Sequence, residues 1–352
     1  AVCLHTDESL LTGTPLFKKQ VLGSLKETFE IGTIWEEEQG KALQSVTFLG
    51  RDLEIERKPD QSRQIKIKQS GYCSGIQEIK VPSDTSNFAA EDVSKFSGLL
   101  GRLSWVVYRT RPDLAFDVWS ASQQKPSWEA VQTLNKAARD AKYHASVGIT
   151  LNPQRISRVL CLTDASFNRH RTDAPPVYGI LTYISDYGTT YDQNLFIRNP
   201  DEQIQKRDAP KEVIQVNASL LNWRSRKVER KIDTIMDVES LSIAYGLSYS
   251  LFLHGVLVEL DMNNKRSIPR PQVMNDNNSA VSHIRSTQAH TNPRLAVCWA
   301  ALRKLFTENV YSLMHICGKT LNLSDVATKI KSPLKAALIK SLRLGKLLLP
   351  KN

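Results

Sequence analysis

Val159-Leu160-Cys161-Leu162-Thr163, closed by Asp164, sets the frame for the second half of the chain. A short apolar run rich in β-formers that ends on an acid reads as a buried strand with a carboxylate at its tip. Working downstream, Val177 to Ile184 is a second strand and Leu220-Leu221-Asn222-Trp223 a third. Residues 185–218 between them are polar, show no clear period and are expected as a long loop or insertion. A helix from Thr234 to about Leu260 is apolar almost all round and is therefore expected to be central. Gln272-Val273-Met274-Asn275 is a fourth strand ending in Asp276, helices come next at about 278–287 and 293–308, and Tyr311 to Ile316 is a fifth strand. A short helix opens at Leu323-Ser324-Asp325. The order β-β-β-α-β-α-α-β-α predicts an α/β (α+β) fold with a mixed five-stranded sheet and flanking helices over 155–330.

Upstream, Pro15 to Phe29 has helical spacing, and Val46 to Ile55 and Ile65 to Lys68 alternate as strands around a turn at Pro59-Asp60. Residues 82–90 and Gly148 to Ser157 read as linkers. Between them the pattern is helical: Phe96, Leu99, Leu100, Leu103 and Val107 share a face, Arg111-Pro112-Asp113 breaks the helix and caps the next, and Pro126-Ser127 opens a third. Trp105 and Tyr108 lie in that apolar helix and are expected to pack in the core. The chain thus divides into 1–81, 88–147, 155–330 and a basic Leu-rich tail, 331–352, able to form an amphipathic helix.

The 352 residues carry 47 Lys and Arg against 36 Asp and Glu, a net charge of +11, which points to nucleic acid or another anionic partner. Five scattered cysteines argue against a disulfide framework or zinc ribbon and for a reducing intracellular compartment, cytoplasmic or nuclear. No apolar run approaches the roughly 18 residues of a membrane span, so no membrane partner is expected. The opening Ala1-Val2-Cys3-Leu4 reads as mid-strand, so the chain is expected to be part of something longer or a processed product.

Four acids stand out by position: Asp164 and Asp276 at strand ends, Glu239 in the first turn of the long helix, and Asp325 at a helix start. Ligands of open α/β sheets sit beyond the carboxyl ends of strands. An oxygen-only cluster there suits Mg²⁺ or Mn²⁺. Each acid also has a plainer reading, since a strand-ending Asp forms turns and caps helices. Asp237, two residues before Glu239, competes with it for a place in the cluster. His283, His290 and His315 are scattered and read as ordinary.

Several stretches, in order, resemble the C-terminal part of the Pol polyprotein of copia-type long-terminal-repeat retrotransposons, across reverse transcriptase and ribonuclease H. Leu4 to Gly13 resembles the polymerase hairpin, Phe48-Leu49-Gly50 with Ile65 to Tyr72 the next palm hairpin, and Gly98 to Leu103 with Thr110 to Phe116 the thumb segment. Thr163 to Phe167, Trp223 to Lys227, Asp237 to Leu241, Asn275 to Ala280 and Leu323 to Lys329 keep the ribonuclease H order.

The resemblance implies a ribonuclease H-like domain behind a partial palm and a helical thumb or connection. In the family, Asp164, Glu239, Asp276 and Asp325 would be the catalytic, metal-holding acids, with two Mg²⁺ (or Mn²⁺) ions clamping a phosphate. The substrate would be the RNA strand of an RNA–DNA hybrid, told apart by its 2′-hydroxyls. Arg224, Arg226, Lys227, Arg230, Lys231 and Lys329 would hold phosphates. The polymerase site departs from the family: Glu8 stands where the second of two adjacent Asp is expected, and the upstream metal-binding Asp, the fingers and most of the palm are not in this sequence. Asp7 and Glu8 therefore read as vestigial, polymerase activity is not expected from this chain alone, and the missing upstream Pol segment is a candidate partner. A drifted, non-catalytic nucleic-acid-binding or structural remnant is the alternative.

Overall fold

The computed structural model describes residues 2–4, 9–11, 15–28, 45–59, 62–152, 158–167, 175–186, 213–230, 232, 234–261, 268–288 and 292–350. Strands β1 (Val2–Leu4) and β2 (Ser9–Leu11) pair antiparallel and precede helix α1 (Pro15–Thr28). Next come β3 (Val46–Phe48), β4 (Arg51–Arg57) and β5 (Arg63–Lys68), which form an antiparallel sheet with the later β6 (Ile149–Leu151). Val46 to Ile55 is thus two strands, not one. The chain reverses at Leu49 and Gly50, whose φ values of 50° and 66° match the left-handed backbone of a two-residue hairpin. The expected linker after Gly148 contains β6. Gly148 lies so close to the Ile67 carbonyl that a Cβ would collide, so the strand pairing itself demands glycine.

Helices α2 (Ser70–Ser74), α3 (Ala90–Arg109), α4 (Ala115–Gln123) and α5 (Trp128–Tyr143) share one apolar core. Phe96, Leu99, Leu103 and Val107 are buried in it, as their spacing predicts. Ser127 caps α5, its Oγ accepting from the Ala130 N–H. Arg111 does more than break a helix. Its fully buried guanidinium grips both Asp113 oxygens at 2.8 Å and donates to the carbonyls of Asp140, Ala141 and His144. Two of those carbonyls, at the end of α5, also accept from the chain itself: Asp140 from the His144 N–H and His144 from the Val147 N–H. Trp105 and Tyr108 are not core: they stand 37% and 68% exposed, with the Arg109 guanidinium 4.6 Å over the Trp105 ring. They fall on the helix stripe opposite the buried one.

The main sheet contains β7 (Arg158–Ser166), β8 (Val177–Ser185), β9 (Val213–Lys227), β10 (Gln272–Asn275), β11 (Ser312–His315) and β12 (Lys346–Pro350). Their order is β11-β10-β7-β8-β9-β12. Strands β7, β8, β9 and β12 are antiparallel to their neighbours in this series, whereas β10 and β11 join parallel. This is the mixed α/β architecture expected, with one strand more among the described residues. The added strand comes from the tail, which forms helix α9 (Lys335–Leu344) and then β12 instead of a single helix. Gly345, at φ 59°, turns the chain between them, and its carbonyl accepts from Asn152 Nδ2 at 2.6 Å.

One sheet face packs on α6 (Ile235–Asp261), α7 (Asn278–Arg285) and α8 (Pro293–Thr307). The other carries α9 and the 3-10 turn Leu323–Ala327. Helix α6 is long and apolar enough to cross a membrane by length and composition, contrary to the expectation that no run approached a span. Its first half is buried on the sheet, but the second half is not central: Phe252 and Leu260 are 66% and 73% exposed. Trp223 joins the sheet to the helical core, its indole N–H donating to the Val107 carbonyl at 2.8 Å.

Candidate metal centre

The parallel pairing of β7 with β10 decides where two acids meet. Its register ends on Asn275 opposite Thr163, so the next residue on each strand is an Asp, and both lie at one sheet edge. Glu239, in the second turn of α6, is carried to the same edge because that half of the helix is buried on β7 and β8. Asp164, Glu239 and Asp276 each offer an oxygen, all within 4.8 Å of one another. Asp164 and Glu239 are buried and Asp276 is partly so. An acidic group able to hold a metal ion is therefore present.

Burial raises all three carboxyl pKa values. Asp164 is pushed up to about 8 by burial first and by the Asp276 charge next. Glu239 is raised well above its ordinary range by burial and then by Asp164. Asp276 is raised by burial, against the pull of its hydrogen bond from Asn322.

Asp325 does not join the group. It is buried in its turn, but one oxygen takes the Lys329 ammonium and the other accepts from Ser332 Oγ at 2.5 Å. The four acids expected together are thus three acids plus a neighbour whose carboxylate is already engaged. The i,i+4 spacing of Asp325 and Lys329 makes that capture local and easy. Asp237 is the N-terminal cap partner of α6 instead of a site acid: Thr234 N–H donates to its carboxylate and Asp237 N–H to the Thr234 hydroxyl, both at 3.2 Å.

Of the basic residues, Arg224 lies with its guanidinium 4.2 Å from the Tyr249 ring centre. Arg226, Lys227 and Arg230 are exposed at and beyond the end of β9. Lys329 is half exposed, and burial disfavours its charge, but the Asp325 hydrogen bond and the charges of Asp164, Asp325 and Asp276 together outweigh that and leave its pKa raised. Asp7, Glu8 and Lys231 lie outside the described residues.

Sequence reasoning missed the groups that hold the acids. Asn275 Nδ2 donates to Glu239 Oε2 at 2.9 Å, Asn322 Nδ2 to Asp276 Oδ1 at 3.0 Å, and the Thr328 hydroxyl to Asp164. His315, read as ordinary, has Nε2 3.0 Å from the Asp276 carbonyl. Asn and Thr beside a strand end or turn carry no signal that separates them from turn formers.

No protein-family model matches the chain, and no curated protein matches it. Among solved structures it is similar to the N-terminal RNase H domain of a Mycobacterium tuberculosis protein, solved as a fusion with maltose-binding protein. Identity there is 12% and the TM-score 0.27, over 46% of this chain and 81% of that one. It is similar to LC11-RNase H1, isolated from compost by a metagenomic approach, at 14% identity and a TM-score of 0.27, over 46% of this chain and 86% of that one. It is also similar to the foamy viral protease-reverse transcriptase in complex with dsDNA, at 11% identity and a TM-score of 0.37, over 78% of this chain and 45% of that one. These neighbours are ribonuclease H domains and a retroviral protease-reverse transcriptase, and the likeness is one of fold.

Proposed function

We propose that the chain is the ribonuclease H portion of a copia-type Pol protein, cutting the RNA strand of RNA–DNA hybrids inside the cell. The observation that carries this is the meeting of Asp164, Glu239 and Asp276 within 4.8 Å at the carboxyl edge of the sheet. The Lys329 charge acts on all three buried acids, yet their pKa values stay raised, so their charge is incompletely balanced. Their donor set, oxygens alone, fits Mg²⁺ or Mn²⁺ and no softer metal. Two such ions, when bound, supply positive charge to the attacking water and to the departing 3′ oxygen.

The residues divide the remaining work. Asp164, Glu239 and Asp276 hold the ions, and Asp325 completes the set once Lys329 and Ser332 release it. Lys329, so freed, faces the scissile phosphate. Arg224, Arg226, Lys227, Arg230 and Lys231 track the hybrid backbone, so binding weakens steeply with salt. In this proposal 1–81 is a partial palm, 88–147 a thumb or connection, 155–330 the nuclease and 331–352 its tail. An upstream Pol segment is a candidate partner, and no membrane partner takes part.

The test is cleavage of a labelled hybrid in Mg²⁺ or Mn²⁺, with Asp276→Asn beside it. Cleavage that the variant loses is the expected result. One observation favours the rival reading of a non-catalytic binding remnant, namely that Asp325 is held by Lys329 and Ser332. Hybrid bound by both proteins and cut by neither would establish that rival.

A further inference from the structure

The three site acids come from three separate elements, and two buried carboxamides join them. Asn275 and Asn322 are both fully buried. The Asn275 Nδ2 reaches Glu239 Oε2 at 2.9 Å and the Thr163 carbonyl and hydroxyl at 3.1 Å each. Its Oδ1 accepts from the Asn277 N–H at 2.8 Å, which fixes which end of the amide faces the acid. The Asn322 Nδ2 reaches Asp276 Oδ1 and the same Thr163 carbonyl, both at 3.0 Å. Its Oδ1 is in turn held by the Ser324 hydroxyl. Thr163 immediately precedes Asp164. A chain of contacts thus runs Glu239–Asn275–Thr163–Asn322–Asp276, with Asp164 at its centre. The backbone of Gly318 closes on the other Asp276 oxygen so tightly that a Cβ there would collide.

Resting on the proposed metal-dependent function, we infer that Asn275 and Asn322 are positioning residues that set the spacing and orientation of the three carboxylates for divalent-cation binding. A carboxamide suits this task because it donates to a carboxylate without carrying a charge of its own that would compete with the cation. Partners of ligating groups typically govern metal affinity about 10–100-fold. Both side chains also contribute to the packing of the sheet edge, so the test must separate positioning from folding.

Mn²⁺ binding to the full chain is measured by electron paramagnetic resonance for the parent, Asn275→Ala, Asn322→Ala and Asp276→Asn, with thermal melts of each in chelator. Asn322→Ser, which restores a shorter donor, is run beside them. The expected result is roughly 10-fold weaker Mn²⁺ binding for each alanine variant, partial recovery in Asn322→Ser, and melts that keep all variants folded at the assay temperature. Hybrid cleavage by the alanine variants should return as Mn²⁺ is raised, which a folding defect would not permit. Unchanged Mn²⁺ affinity in both alanine variants, or activity loss that metal does not rescue, overturns the inference while leaving the nuclease reading intact. A parent chain whose Mn²⁺ binding does not depend on Asp276 overturns both. A variant too unstable to assay is replaced by its serine counterpart, Asn275→Ser or Asn322→Ser, expected to weaken Mn²⁺ binding less than alanine; unchanged affinity there also overturns the inference.

Discussion

Two of the places where the chain buries acids treat them in opposite ways. In the helical core, Asp113 is matched to Arg111 by two hydrogen bonds, and Asp117 and Asp140 face Lys335 at 3.3 and 2.7 Å. At the sheet edge, Asp164, Glu239 and Asp276 face one another. Desolvation presses on both groups. For Asp113 burial is outweighed by the Arg111 charge and hydrogen bonds together with the Lys335 charge, which hold it below the ordinary carboxyl range, whereas burial lifts Asp164 to about 8. Paired burial reads as architecture and the cluster of like charges as a group that could hold a cation.

The largest expected effect breaks the paired side. Arg111→Ala strands Asp113 without its cation and removes the guanidinium donor from three carbonyls at the end of α5, two of which keep a backbone N–H. A loss of about 3–5 kcal/mol is expected, read as a lower urea midpoint. The double change Arg111→Met with Asp113→Leu should recover much of it, because an apolar pair has no stranded charge. Recovery that fails would mean that the bonds to the α5 carbonyls, not the ion pair, hold the three helices.

The unpaired side should respond with the reverse sign. Asp164→Asn keeps an acceptor for the Thr328 hydroxyl and removes a repelling charge. The metal-free chain should gain on the order of 1–2 kcal/mol at pH 8, and added Mn²⁺ should stabilise it less than the parent. The parent itself should lose stability in chelator as pH rises. All three site carboxyls have raised pKa values in the fold. The folded chain therefore keeps protons that the unfolded chain gives up, from the ordinary carboxyl range near 4 up to about 8. Mn²⁺ should oppose this, binding more tightly as the protons leave. Melting temperatures from pH 5 to 8, with and without Mn²⁺, check both slopes; a chelator curve that rises through this window would contradict the unpaired arrangement.

Much of this contrast is legible in the residue pattern. The strand-ending positions of Asp164 and Asp276 and the apolar start of α6 place three acids at one edge, because period and strand direction are written in the order of apolar and polar residues. Asp325 departs from its expected place for a physical reason: Lys329, one helical turn on, and Ser332 compete for its carboxylate, and spacing alone does not rank rival partners. The role of Arg111 is hidden similarly. Arg-Pro-Asp reads locally as a helix break, and only the fold brings the end of α5 to it. Strand β12 is invisible to periodicity because Leu347-Leu348-Leu349 continues a helical leucine pattern; the left-handed Gly345 stops the helix, and the edge of β9 recruits Lys346–Pro350.

Lys335 sharpens the comparison with a smaller effect. It joins α9 to the helical core through Asp117 and Asp140, and its side chain is 22% exposed. Partial exposure limits the loss in Lys335→Met to about 1–2 kcal/mol near pH 7. Its pH dependence is the informative part. Asp117 is already raised, by burial, even with Lys335 beside it. Without that cation its pKa must climb further, so folding would favour its protonated form. The loss should then shrink as pH falls and Asp117 takes up a proton, and grow as pH rises. The Lys335→Met chain would thereby acquire in the helical core the same falling stability with rising pH that is expected of the sheet edge without metal, but with no Mn²⁺ able to reverse it. Urea midpoints of the two proteins at pH 5 and pH 8 measure this, and a loss that is equal at both values would show that Lys136 or solvent, not Lys335, satisfies Asp117.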